Sequence, residues 1–114
     1  MDTVKRTAVG AAVDVVVIED HPLYVEALLS LLSVALSGRK IERFRDVESA
    51  EPLLRMANPT VILLDLMLPG LRGTDALRRV RQQCPDAIMV TISGADDPVQ
   101  VSACFAAGAQ AFVS

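Results

Sequence analysis

Val61-Ile62-Leu63-Leu64 runs without a polar break into Asp65, and Leu66-Met67-Leu68-Pro69-Gly70 then turns the chain. Four consecutive apolar residues without alternation mark a strand buried on both faces of a parallel sheet. Residues 13–18 and 87–90 repeat that signature, so three strands of the same kind recur along the chain.

Helical patterns fill the gaps between these strands. His21-Pro22 puts proline at a first helical position, and Tyr24, Leu28, Leu31, Leu32 and Ala35 follow at helical spacing before Gly38 stops the segment. Residues 41–45 read as a weaker, edge-type strand and residues 47–57 as a short helix, which tolerates Pro52 only if it begins near Ser49. Asn58-Pro59 closes it. Thr74 is the expected N-cap of a helix with Ala76, Leu77 and Val80 inward and Arg78, Arg79 and Arg81 on a solvated outer face, ending at Pro85. Asp97-Pro98 starts another, with Val101, Cys104 and Phe105 on one face, and residues 110–113 form a last strand. The order is βαβαβαβαβ. Right-handed crossovers then give a doubly wound, five-stranded parallel α/β sheet with helices on both faces, and such sheets collect ligands at the carboxyl ends of their strands.

Composition narrows the function. The 114 residues suffice for one packed core but not two, and 52% of them are hydrophobic. A net charge of −3 leaves no nucleic-acid footprint, and 4% aromatic content argues against an aromatic-lined groove. Cys84 and Cys104 lie in apolar helical patterns and read as reduced, buried thiols. Residues 1–12 carry Lys5 and Arg6 but no hydrophobic core of a signal peptide, and read as a loose leader ahead of a single domain over 13–114. No apolar run approaches the roughly 18 residues of a membrane span, so a cytoplasmic protein is expected.

Chemistry concentrates at the strand ends. Glu19-Asp20 closes the first strand and Asp65 the third, so the fold brings three carboxylates to one rim. Packed without a counter-charge they would repel until one took up a proton, whereas a divalent cation lets all three stay ionised. An oxygen-only set favours Mg²⁺, which keeps waters and takes one or two carboxylates plus phosphate oxygens.

Glu19-Asp20-His21-Pro22, Leu63-Leu64-Asp65-Leu66-Met67-Leu68-Pro69-Gly70, Ser93-Gly94 and Gly108-Ala109-Gln110-Ala111-Phe112, in that order, resemble the receiver domain of bacterial two-component response regulators. The resemblance covers residues 13–114. The His-Pro after the acidic pair and the Leu-Pro-Gly after the aspartate are most similar to receivers that precede a LuxR-type helix-turn-helix output domain. The implied fold is flavodoxin-like, with strand order 2-1-3-4-5.

By resemblance, Asp65 is the phosphoacceptor for a sensor histidine kinase. Asp20 is a direct Mg²⁺ ligand, Glu19 a ligand through water, and Met67 a ligand through its backbone carbonyl. Ser93 supplies the hydroxyl that bonds the phosphoryl group after transfer, and Phe112 is the aromatic switch on the fifth strand. Gly94 leaves the site open to small phosphodonors. Met67 and Ala95 stand where the family tunes dephosphorylation, and neither can orient a water, which implies a long-lived acyl phosphate. The protein transfers once to itself, so no multiple-turnover enzyme is expected.

One departure qualifies the resemblance. The family lysine after the glycine-alanine-aromatic stretch would fall one position past Ser114, and a fifth helix would follow it. The sequence therefore reads as a piece of a longer protein, whose output domain would contact DNA in its place, and the uncovered sheet face suggests a homodimer. A receiver-like module that no longer accepts phosphate and serves in protein interaction is the alternative.

Blander readings stand beside these. Singly, Asp20 and Asp65 read as helix caps, Ser93 as a turn residue and Phe112 as a core aromatic. His21, the one histidine, reads as a structural residue near the acidic rim, and Tyr24 as packing. A phosphohydrolase of the haloacid dehalogenase type would need an acidic residue at position 67, and a nucleotide- or flavin-binding module would need a phosphate loop where the acidic pair stands.

Overall fold

The computed structural model describes residues 13–35, 37–94 and 97–113, apart from the side chains of Tyr24, Leu32 and Ser33. The readings of the leader at 1–12, of the Tyr24 and Leu32 side chains, and of Ala95 lie outside the described residues.

Strands β1 (Val15–Ile18), β2 (Ile41–Phe44), β3 (Val61–Asp65), β4 (Ile88–Ile92) and β5 (Ala111–Val113) alternate with helices α1 (Pro22–Ala35), α2 (Val47–Met56), α3 (Gly73–Gln83) and α4 (Pro98–Ala106). The sheet is ordered β2-β1-β3-β4-β5, with every pair parallel. This is the doubly wound, flavodoxin-like arrangement that the sequence implied, with the weakly patterned β2 at an edge.

Successive side chains on a strand point to opposite faces, and each apolar run is therefore split between two cores. Val16, Ile18, Ile62, Leu64 and Met89 meet Val47, Ala50, Leu54, Leu77, Val80 and Cys104, which are supplied by α2, α3 and α4. Val15, Val17, Leu63 and Ile92 form the second cluster, packed by Leu28 and Leu29 of α1. Fully burying a side chain such as Leu54 or Leu77 is worth roughly 1.5–3 kcal/mol, so the first face carries most of the stabilisation.

The helices correct several expectations. α1 turns inward Val25, Leu28 and Leu29, while Leu31 is 71% exposed and Ala35 is also exposed. The segment is apolar all round, so its spacing did not single out one face. α2 begins at Val47, two residues before Ser49: Asp46 caps it, accepting from the Ser49 amide at 2.8 Å, and Pro52 stands inside the helix. In α3 the N-cap position is Arg72 with no side-chain cap, and Thr74 lies in the first turn. Gly73, at φ +63°, makes that entry and donates its amide to Leu66 O at 2.9 Å. Asp97 caps α4 as expected, accepting from the Val99 amide, but only Cys104 of its inner face is fully buried and Phe105 is 47% exposed.

Two of the three arginines on α3 are not merely solvated. Arg79 Nε lies 2.8 Å from Glu51 Oε2, and this buried carboxylate on α2 also accepts from Gln83 Nε2 at 2.5 Å. Arg81 donates to the carbonyls of Cys84, Pro85, Ala87 and Gly108 and to Gln110 Oε1. Arg78 alone has the expected exposed role, paired with Asp75. Cys84 and Cys104 are both buried, and burial pushes the Cys104 thiol up. Among the described residues, no helix is long and apolar enough to cross a membrane.

Candidate functional site

Parallel pairing in register aligns the carboxyl ends of β1, β3 and β4. Ile18 stands beside Leu64, and Asp65 beside Ile92. The residue after β1 is therefore Glu19, the last of β3 is Asp65, and the residue after β4 is Ser93. All three are buried, at 2%, 4% and 2% exposure. Backbone bonds hold the rim: Glu19 N to Phe44 O, Leu66 N to Ile92 O, and Ser93 N to Val113 O, each 2.9–3.0 Å.

The acidic side chains converge as the sequence implied. Glu19, Asp20 and Asp65, joined by His21, each offer one ligand atom within 4.8 Å of the others. His21 donates its amide to Glu19 Oε1 at 3.0 Å, and its Nδ1 lies 2.5 Å from the same oxygen, 3.2 Å from Asp20 Oδ1 and 3.9 Å from Asp65 Oδ2. Among the described residues His21 is the only basic side chain paired with these carboxylates. Among the described residues, the buried Asp20 Oδ1 accepts no hydrogen bond, and its nearest basic atom is His21 Nδ1.

Electrostatics follow from this crowding. Burial, together with a hydrogen bond to Glu19 and the charges of Glu19 and Asp20, pushes Asp65 up to about 6, against the Met67 amide, which donates to Asp65 Oδ1 at 2.9 Å and pulls it down. The hydrogen bond and charge of Glu19, with Asp20 next, raise His21. A buried oxygen with no well-formed hydrogen bond, beside a carboxyl that is costly to ionise, is what a cation would relieve. These residues can hold a metal ion, and the carboxylates suit a hard one.

The cluster opens into a cavity of about 650 Å³. Ile92 and Ser93 line it beside the carboxylates, while Leu23 and Met67, both largely exposed, flank the mouth. Among the described residues, a Cβ at Gly94 would meet no heavy atom within 4 Å. Phe112 is not a lining residue. It is half-buried, pairs in register with Thr91, and packs against the larger core. Reasoning from sequence underrated His21, although its place two residues after Glu19 in the strand-to-helix turn was the available signal, and it did not anticipate Leu23 and Ile92 as walls.

Comparisons with known proteins agree with this geometry. The family model described as the response regulator receiver domain matches residues 15–114. The transcriptional regulatory protein DegU of Brevibacillus brevis is 30% identical over 101 residues, which are 89% of this chain and 43% of DegU. The chain spans less than half the length of the curated relatives it matches. The receiver domain of the putative response regulator NarL from Mycobacterium tuberculosis superposes with a TM-score of 0.68 at 32% identity, covering 90% of this chain and 82% of that one. A response regulator from Burkholderia pseudomallei, solved with a phosphorylated aspartic acid, a calcium ion and citrate, shares the fold at TM-score 0.78 and 19% identity, over 89% of this chain and 58% of that one. A strand-end acidic cluster on this sheet, and a family match over nearly its whole length, make the chain a member of the response regulator receiver domain family.

Proposed function

We propose that the chain, through a receiver unit at residues 13–114, takes a phosphoryl group from a sensor histidine kinase onto Asp65, in a site where Glu19, Asp20, Asp65 and the Met67 backbone carbonyl hold Mg²⁺. The observation that carries this reading is the burial of Asp65 beside Glu19 and Asp20 at the mouth of an open cavity. An Asp65 oxygen attacks phosphorus, the P–N bond to the kinase imidazole breaks, and the leaving nitrogen keeps the electron pair and takes a proton. Bound Mg²⁺ would neutralise charge on the phosphoryl oxygens. The Met67 amide already orients one Asp65 oxygen, which leaves the other to react. Ser93, at the end of the neighbouring strand, is suited to donate its hydroxyl to the new phosphoryl group.

In this reading the movement of Ser93 towards the phosphoryl group is transmitted along β4 to β5, where Phe112 pairs with Thr91 and acts as the switch. The parent protein is cytoplasmic, and its phosphorylated receiver controls a DNA-binding output domain, in line with the similarity to the DNA-binding transcriptional activator EvgA of Escherichia coli. A homodimer through the sheet face flanked by α1 belongs to the same reading.

Acetyl phosphate with Mg²⁺, followed by intact mass measurement, tests the chemistry. One phosphoryl group should add to this chain or to a version extended past Ser114, and Asp65→Asn should abolish the gain. No gain in either chain would leave an interaction module that does not accept phosphate.

A further inference from the structure

The geometry points to the His21 imidazole as a nitrogen ligand of the acidic site, which lets it take a transition-metal ion of the Zn²⁺ class as well as a hard ion. This rests on the reading of Glu19, Asp20 and Asp65 as metal ligands.

His21 is held where it stands. Its amide is tied to Glu19 Oε1, and its carbonyl accepts from Val25 N at 2.9 Å, which fixes the residue at the start of α1. The ring nitrogen Nδ1 then faces three carboxylates, at 2.5, 3.2 and 3.9 Å. Around an ion bonded at about 2.0–2.2 Å, neighbouring ligand atoms sit roughly 3 Å apart and opposite ones roughly 4 Å apart. The observed separations bracket that range, and only the shortest needs to open, by about half an ångström.

The donor set decides the class of ion. Three carboxylates alone suit Mg²⁺ or Ca²⁺, and adding an imidazole favours Zn²⁺ and its neighbours in the transition series. The ring is 67% exposed, so metal can reach it from solvent. Asp20 Oδ1, a buried atom that accepts no hydrogen bond among the described residues, is a second ligand atom at the same point.

Because the chain has a single histidine, one imidazole signal reports the result. In ¹⁵N-labelled, metal-free protein in mildly alkaline buffer, Zn²⁺ should shift the His21 Nδ1 resonance strongly and Mg²⁺ should leave it nearly in place. By calorimetry, His21→Ala should weaken Zn²⁺ binding about tenfold or more, since even an outer-shell partner costs that much, and change Mg²⁺ binding less than about threefold. His21→Asn should behave like His21→Ala, which excludes a packing effect. Zn²⁺ binding with Nδ1 unmoved, or unchanged in both variants, would overturn the inference. If Mg²⁺ still binds in that event, and Asp65 still gains phosphate, the receiver reading survives. Loss of Mg²⁺ binding in the unmodified chain would instead count against that reading.

Discussion

The Arg81 guanidinium donates to the Gly108 carbonyl oxygen at 2.5 Å, joining α3 to the turn between α4 and β5 across 27 residues of sequence. The same side chain holds the carbonyls that lead into β4 and the Gln110 side chain, which in turn accepts from the Met89 amide. A charged donor shared among partly buried carbonyls contributes more than a neutral bond, and its loss strands several acceptors at once. Arg81→Ala should destabilise the fold by about 2–4 kcal/mol, and Arg81→Lys should recover less than half of that. Urea unfolding followed by circular dichroism measures both.

Gly108 is the counterpart of that strut. It adopts φ +115°, and a Cβ there would stand 2.9 Å from Arg81 Nε. Gly108→Ala should cost about 1–3 kcal/mol through backbone strain and displacement of the guanidinium. Combined with Arg81→Ala, the two losses should sum to less than their separate values, because the displaced partner is already gone. Strict additivity in the double-mutant cycle would show that the two residues act independently.

Pro52 interrupts the amide ladder of α2 at an exposed position. Its ring supplies no hydrogen bond to the Glu48 carbonyl. Pro52→Ala should therefore stabilise the fold by roughly 1 kcal/mol or more, and so raise the unfolding midpoint, without touching the core. A lower midpoint would mean that the ring packs usefully where it stands.

Stability of the metal-free protein should fall as pH rises. The folded state holds the Asp65 proton to about 6 against an ordinary 3.8, so the unfolded chain ionises first. Up to about 3 kcal/mol present at low pH is lost between those values. His21 acts in the same direction. Its raised pKa gives stabilisation that is complete below the ordinary 6.5 and disappears as pH passes the folded value. Asp65→Asn should flatten the acid side of the profile and stabilise the metal-free protein at neutral pH by about 1–3 kcal/mol. Thermal melts at about pH 4 to 7 distinguish this from an unchanged slope.

Met67 is 55% exposed beside Asp65 and offers no group that could align a water for attack on phosphorus. Once phosphorylated, the protein should lose its phosphate several-fold more slowly than Met67→Asn, whose amide can hold a water by hydrogen bonds but cannot act as a general base. Phosphate release after removal of the donor gives both rates.

Strands buried on both faces were readable because runs such as Val15 to Ile18 or Val61 to Leu64 are too short for a buried helix and are bounded by turn signals. The convergence of Glu19, Asp20 and Asp65 followed from strand ends and topology, whereas Ser93 was placed with them by the family resemblance. What escaped was set by contacts distant in sequence or by degenerate patterns. Arg81 looks like a solvated residue until β5 arrives beside it, and α1 is too uniformly apolar for periodicity to choose Val25 and Leu29 over Leu31. Asp46 was overlooked because Pro52 argued for a later start to α2. His21, two residues after Glu19, was placed near the acidic rim but not among its ligands, because only the folded turn brings Nδ1 onto the carboxylates.

The alignment of Asp65 with Ile92 has a further consequence for quality control during biogenesis. Side chains on a strand alternate between faces, so a slip of one residue in the β3 ladder would turn Asp65 away from Glu19 and leave its carboxylate among hydrocarbon. A misassembled molecule would then lose the carboxylate cluster together with its stability.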